Sequence, residues 1–124
     1  MRFEVPRPAE RTADAYLRLI PRSEMDIAVV GAGARVTLDD AGVVTDAKIA
    51  LGAVAPTVVR VPEAEAALVG NAIDDDVLAA VAAAASAACN PIDDMRGTVA
   101  YRTQVAGVLA KRAVASAAER AQGA

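Results

Sequence analysis

The tetrapeptide Asp39-Asp40-Ala41-Gly42 separates two stretches of alternating apolar residues, and this junction restricts the fold more than any other feature. Upstream, residues 27–38 (IAVVGAGARVTL) run apolar and then alternate. Downstream, Val44, Ala47, Ile49 and Leu51 are punctuated by Thr45, Asp46, Lys48 and Ala50. Aspartates supply local acceptors and Gly42 can adopt a positive φ, so the chain must reverse here. Two arms of β periodicity around a tight reversal predict a long antiparallel hairpin.

The first arm contains Gly31 and Gly33, in the setting where a strand usually feeds a dinucleotide-binding loop. That loop needs three small positions, for a tight turn, a close backbone approach to pyrophosphate and helix packing. Here the third position is Val36, and the chain continues as Arg-Val-Thr-Leu where a helix should open. The glycines are therefore read as sites of close approach or a bulge within a strand. Nucleotide binding through Gly31 and Gly33 is the competing reading.

Around the hairpin, residues 2–5 read as a short extended piece stopped by Pro6, and residues 6–14 as a surface connection without core. Residues 16–20 (YLRLI) read as a strand ended by Pro21, with Arg18 pointing away from Leu17 and Leu19. A further strand is expected over residues 57–61. The second half reads as three helices. Pro62, Glu63 and Glu65 open the first, and Gly70 closes it. Asp74, Asp75 and Asp76 cap the alanine-rich second, which Asn90-Pro91 ends. The third spans about residues 98–120, with Tyr101, Val105, Val108 and Leu109 at helical spacing and Arg102, Lys111, Arg112, Glu119 and Arg120 on polar faces. The sum is an α+β fold, a small antiparallel sheet of three to four strands covered by three helices, with residues 1–124 as one domain.

Composition narrows the function. A formal net charge of −3 leaves no electrostatic footprint for nucleic acid. With no histidine and one cysteine, there is no disulfide framework and no zinc or copper ligand set. Cys89 reads as a small buried residue of a reducing compartment, and the aspartate run as a cap rather than a metal site. No secretory apolar region opens the chain, and the longest apolar run, residues 77–89, is too short to span a bilayer, which points to the cytoplasm. No catalytic residue is expected, because no nucleophile stands with a base. Asp94 is expected to cap the last helix or to pair with Arg96 or Arg102. Tyr101 is expected to anchor helix to sheet, and Arg22 to pair with Asp26.

Four runs in this order, AYLRLIPRSEMDIAVVGAGARV, AKIALGAVAPT, EAEAALVG and PIDDMRGTVAYRTQVAGVLAKRAV, resemble the C-terminal domain of the flavoprotein (medium) subunit of molybdenum hydroxylases. That is the family of aerobic carbon monoxide dehydrogenase and xanthine dehydrogenase, and the likeness spans about residues 2–118. The resemblance implies the same α+β sandwich and an oxidoreductase context. There, an FAD-binding domain with glycine-rich loops precedes this domain and has no counterpart in the sequence, so the chain resembles a fragment, an excised piece or the product of a split gene. It further implies FAD in the complete subunit, with none held by this chain alone. The implied partners are an FAD-binding domain or polypeptide, an iron–sulfur subunit and a molybdenum-cofactor subunit. The resemblance aligns Arg18 with a lysine near the flavin ring, and the plain alternative is a solvated strand arginine. A second function class is a stand-alone interaction module that forms a homodimer through strands left exposed.

Overall fold

A computed structural model describes residues 1–21 and 27–123. The hairpin forms where its turn chemistry requires. Oδ1 of Asp39 accepts the backbone N–H groups of Ala41 and Val43 at 2.9 Å each, and Gly42 takes a φ of 83° that a side chain would resist. The arms are β2 (Val30–Leu38) and β3 (Val44–Gly52). A register shift at Thr37/Leu38 sets Leu38 opposite Val44 and Thr37 opposite Asp46, leaving Thr45 as an extra residue. This bulge returns Val44 and Ala47, three positions apart, to the same buried face.

β1 (Thr12–Leu19) pairs antiparallel with β2, from Thr12 opposite Thr37 to Leu19 opposite Val30. The short β4 (Val59–Arg60) pairs with β3, so the sheet order is β1-β2-β3-β4. Its first strand starts earlier than the sequence pattern suggested, because Thr12, Ala13 and Asp14 are paired along β2 rather than lying in a surface connection. The strand expected over 57–61 shrinks to two residues. Residues 2–5 form no strand: Phe3 and Val5 are 81% and 89% exposed, and β propensity without a partner strand stabilises little.

The helices α1 (Pro62–Leu68), α2 (Asp75–Ala87) and α3 (Val99–Gly123) lie on one side. α3 packs across β1 and β2, α1 packs on β3, and α2 rests on α1 and α3. Oδ1 of Asp74 accepts the Val77 N–H at 2.8 Å and so caps α2. Gly70, at φ 85°, ends the α1 turn. Val36, Ile49 and Leu51 of the sheet are buried with Leu68, Val81 and Val114 of the helices, each such burial contributing about 1.5–3 kcal/mol. The buried face of α3 is mostly alanine: Ala106, Ala110, Ala113, Ala117 and Ala121. Tyr101 and Val108, which helical spacing groups with that face, are 46% and 38% exposed, while Arg102, expected on a polar face, is 4% exposed. Among the described residues, no helix is long and apolar enough to cross a membrane.

Candidate functional site

Strand alternation sends one set of side chains into the helices and the other outward. The outward set comprises Asp14, Tyr16 and Arg18 of β1, Gly31, Gly33 and Arg35 of β2, and Lys48 and Ala50 of β3. Among the described residues, this side of the sheet carries no helix. Tyr16 is 64% exposed, yet its ring lies across the neighbouring strand. A Cβ placed on Gly31 would stand 2.6 Å from Tyr16 Oη, and one on Gly33 would stand 3.7 Å from Tyr16 Cδ2. The two glycines thus make room for a side chain.

The same geometry removes the phosphate-loop reading. Gly31 faces Arg18 and Gly52, and Gly33 faces Tyr16 and Ala50, both in mid-strand, while the first helix begins only at Pro62. No helix N-terminus opens beside them to meet a phosphate. Beside Tyr16 lies an open depression lined by Gly33, Ala50, Arg35, Lys48 and Arg60. Arg18, on the same outer face, is exposed and stands opposite Gly31. With Arg60 paired to Glu65, Arg18, Arg35 and Lys48 outnumber Asp14 and Asp46 there, a local excess of positive charge.

Just before α3, the chain forms a second constellation. Oδ1 of Asp94 accepts the Arg96 N–H at 2.8 Å and the Gly97 N–H at 3.3 Å, closing a tight turn. The helix start is capped by its neighbours, with Thr98 Oγ1 accepting the Tyr101 N–H at 3.0 Å and Asp93 accepting the Val99 N–H. Asp94 is therefore used otherwise: it accepts Arg102 Nη2 at 2.8 Å, whereas Arg96 Nη1 stays 3.8 Å from its second oxygen. Arg102 also donates through Nη1 to the carbonyls of Val29 at 2.7 Å and Ala53 at 3.4 Å. The Arg96 amide and then the Arg102 guanidinium hold the Asp94 carboxyl below the usual aspartate range. Tyr101 is half-exposed, with its ring edge beside Gly97. Arg22 and Asp26 lie outside the described residues.

No group of three or more metal-ligating side chains occurs among the described residues. Burial pushes the Cys89 thiol up, and its Sγ lies 3.2 Å from the Ala85 carbonyl, so it stays protonated and a poor nucleophile. Two polar residues act in ways the sequence pattern did not reveal. Glu65 Oε1 accepts the Ile49 N–H at 2.9 Å on the outer edge of β3 and Arg60 Nε at 2.8 Å. Arg120 donates to the Asp14 carbonyl at 2.8 Å. Glu65 had been legible only as a carboxylate in a first helical turn.

Comparison with known proteins gives a consistent set of relatives. The model of the family described as CO dehydrogenase flavoprotein C-terminal domain matches residues 15–117. The carbon monoxide dehydrogenase medium chain of Hydrogenophaga pseudoflava is 37% identical over 115 residues, covering 93% of this chain and 39% of that protein. A putative xanthine dehydrogenase FAD-binding subunit of Escherichia coli is 25% identical over 118 residues, covering 95% and 40%. Among solved structures, carbon monoxide dehydrogenase from Hydrogenophaga pseudoflava superposes with a TM-score of 0.88 at 40% identity, covering 94% of this chain and 40% of that one. The chain thus spans about two fifths of the length of the relatives it matches.

Proposed function

The chain belongs to the CO dehydrogenase flavoprotein C-terminal domain family, and from that premise we propose that it is the C-terminal structural domain of the flavoprotein subunit of a molybdenum hydroxylase, a single domain helping to enclose FAD. In that setting FAD relays electrons from iron–sulfur clusters to an acceptor. The observation that carries the reading, beside the family itself, is the asymmetry of the sheet. Its inner face is buried by α1 and α3, with α2 packed upon them, while among the described residues no helix covers its outer face, which bears Tyr16, Arg18, Arg35 and Lys48. Such a face fits the wall of a neighbouring FAD-binding domain or polypeptide.

The residues fit a wall and not a cradle. Gly31 and Gly33 sit in mid-strand, so the pyrophosphate of FAD must be held by the neighbour. What this chain can contribute is the positive charge of Arg18, which would stabilise negative charge accumulating on the flavin during reduction. Iron–sulfur and molybdenum-cofactor subunits complete the proposed assembly.

Titrating FAD into the purified chain, with flavin fluorescence and oligomeric state followed together, tests this reading. The expected result is no tight complex with the chain alone and a stable flavin complex once an FAD-binding polypeptide of the family is supplied. Tight one-to-one binding by the chain alone would overturn it. A stable homodimer that refuses that polypeptide would instead favour a stand-alone interaction module using the same bare face.

A further inference from the structure

A second concavity, of about 550 Å3, opens where the segment before β2, the segment after β3 and the segment after α2 converge. Its volume falls within the roughly 300–1,000 Å3 of small-molecule sites. The apolar walls are Ile27, Ala28, Ala55, Pro56, Pro91 and Ile92, and the polar end is formed by Asp94, Arg96 and Arg102. Ile27 and Ile92 are 63% and 69% exposed, so large apolar side chains line the hollow.

The charges within it are unequal in availability. Arg102 is buried and its guanidinium is engaged by Asp94 and by backbone carbonyls, so that ion pair is closed. Arg96 is not matched in the same way. Its nearest carboxylate oxygen is 3.8 Å away, beyond hydrogen-bond reach, and its side chain is 34% exposed. With Asp94 engaged most closely by Arg102, the charges that line the hollow, Asp94 against Arg96 and Arg102, leave one cation in excess. A doubly charged phosphate would meet the Asp94 carboxylate beside Arg96, whereas a single carboxylate would balance the charge and suit the planar guanidinium fork.

We infer that this concavity binds a small monocarboxylate with an apolar body, its carboxylate on Arg96 and its body against Ile27 and Ile92. The site uses different residues from the outer sheet face and stands independently of the flavin reading.

Isoleucine methyl NMR of the full chain tests the assignment, with benzoate as the probe and benzyl alcohol as its neutral counterpart. Benzoate is expected to shift the Ile27 and Ile92 methyls saturably and to leave the buried Ile49 unmoved. Arg96→Gln should weaken binding at least tenfold with the Ile49 signal unchanged, and Ile92→Ser should weaken it in a chain that keeps Arg96. Equal binding of benzyl alcohol, equal binding by Arg96→Gln, or no saturable shift with benzoate would each overturn the proposal.

Discussion

Arg102 donates a 2.7 Å hydrogen bond to the carbonyl of Val29, 73 residues away in sequence. Through the same guanidinium it holds Asp94 and reaches Ala53, so the first turn of α3 is tied to the entry of β2 and the exit of β3. Hydrogen bonds from a charged donor are worth roughly 1.5–3 kcal/mol each when one partner is removed. Arg102→Met, which keeps much of the volume and loses every donor, should therefore lower stability by about 3 kcal/mol. The midpoint of urea unfolding measures this, and a loss below about 1 kcal/mol would show that the knot is not holding the segments together.

The same knot predicts an acid response. Asp94 titrates below its ordinary value of 3.8, first because the Arg96 amide and then because Arg102 stabilises the charged form. A carboxyl with a depressed folded-state pKa contributes stability that is present above its unfolded value and lost as pH falls through the folded one. The stability gap between the native chain and Asp94→Asn should be constant near neutral pH and close progressively below about pH 4. Urea unfolding at stepped pH reads it directly. A gap that stayed the same down to the acid limit would remove Asp94 as the cause.

How much of this was legible in the sequence depends on the range of the forces involved. The hairpin was readable because Asp39, Gly42 and the alternating arms are local signals that agree. The pairing of Asp94 with Arg102 was legible from their closeness in sequence, but the burial of Arg102 was not, because its carbonyl acceptors at Val29 and Ala53 lie in distant segments and helical periodicity carries no trace of them. Helical spacing groups Tyr101 and Val108 with Val105 and Leu109, yet the interface belongs to alanines, whose short side chains let α3 approach the sheet. The segment 2–5 had the right alternation and no strand to pair with. On the outer face, the direction of Arg18 away from Leu17 and Leu19 and the exclusion of a glycine loop were readable. The ring of Tyr16 over Gly31 and the hollow around Arg96 were not, because both arise from registers between distant segments.

Two glycines with the same clearance predict opposite outcomes. A Cβ on Gly107 would stand 2.6 Å from Ser86 Oγ and 2.8 Å from the Ala82 carbonyl, part of the α2 backbone. Two helices must separate to admit it, so Gly107→Ala should destabilise by about 1–2 kcal/mol despite the roughly 1 kcal/mol that alanine gains within a helix. At Gly31 the obstacle is the hydroxyl end of Tyr16, which can swing into solvent. Gly31→Ala should change stability by less than about 1 kcal/mol. Thermal unfolding of the two variants compares them, and an equal loss in both would contradict the argument.

Glu65 seals the outer edge of β3 beyond the short β4. Its carboxylate takes the Ile49 N–H and is itself held by Arg60, with 16% of the side chain exposed. Glu65→Ala should expose that amide, raise its hydrogen-exchange rate and cost about 1–2 kcal/mol, while Glu65→Gln, which can still accept, should lose less. An open edge is also a template for pairing, so Glu65→Ala should associate more readily at high concentration. Unchanged exchange at Ile49 would mean that the edge is protected by other contacts.

Arg18 separates a structural role from an electrostatic one. It is exposed on the outer face, so Arg18→Gln should leave the stability of the chain within about 0.5 kcal/mol. If it faces the flavin in the complete subunit, its charge favours the reduced, more negative cofactor, and removing it should lower the flavin midpoint potential. Arg18→Lys should restore most of the shift, since the charge matters more than the fork. Potentiometric titration of the assembled subunit distinguishes the cases. A potential unchanged in Arg18→Gln would assign this side chain to the solvated surface and leave the flavin environment entirely to the neighbouring domain.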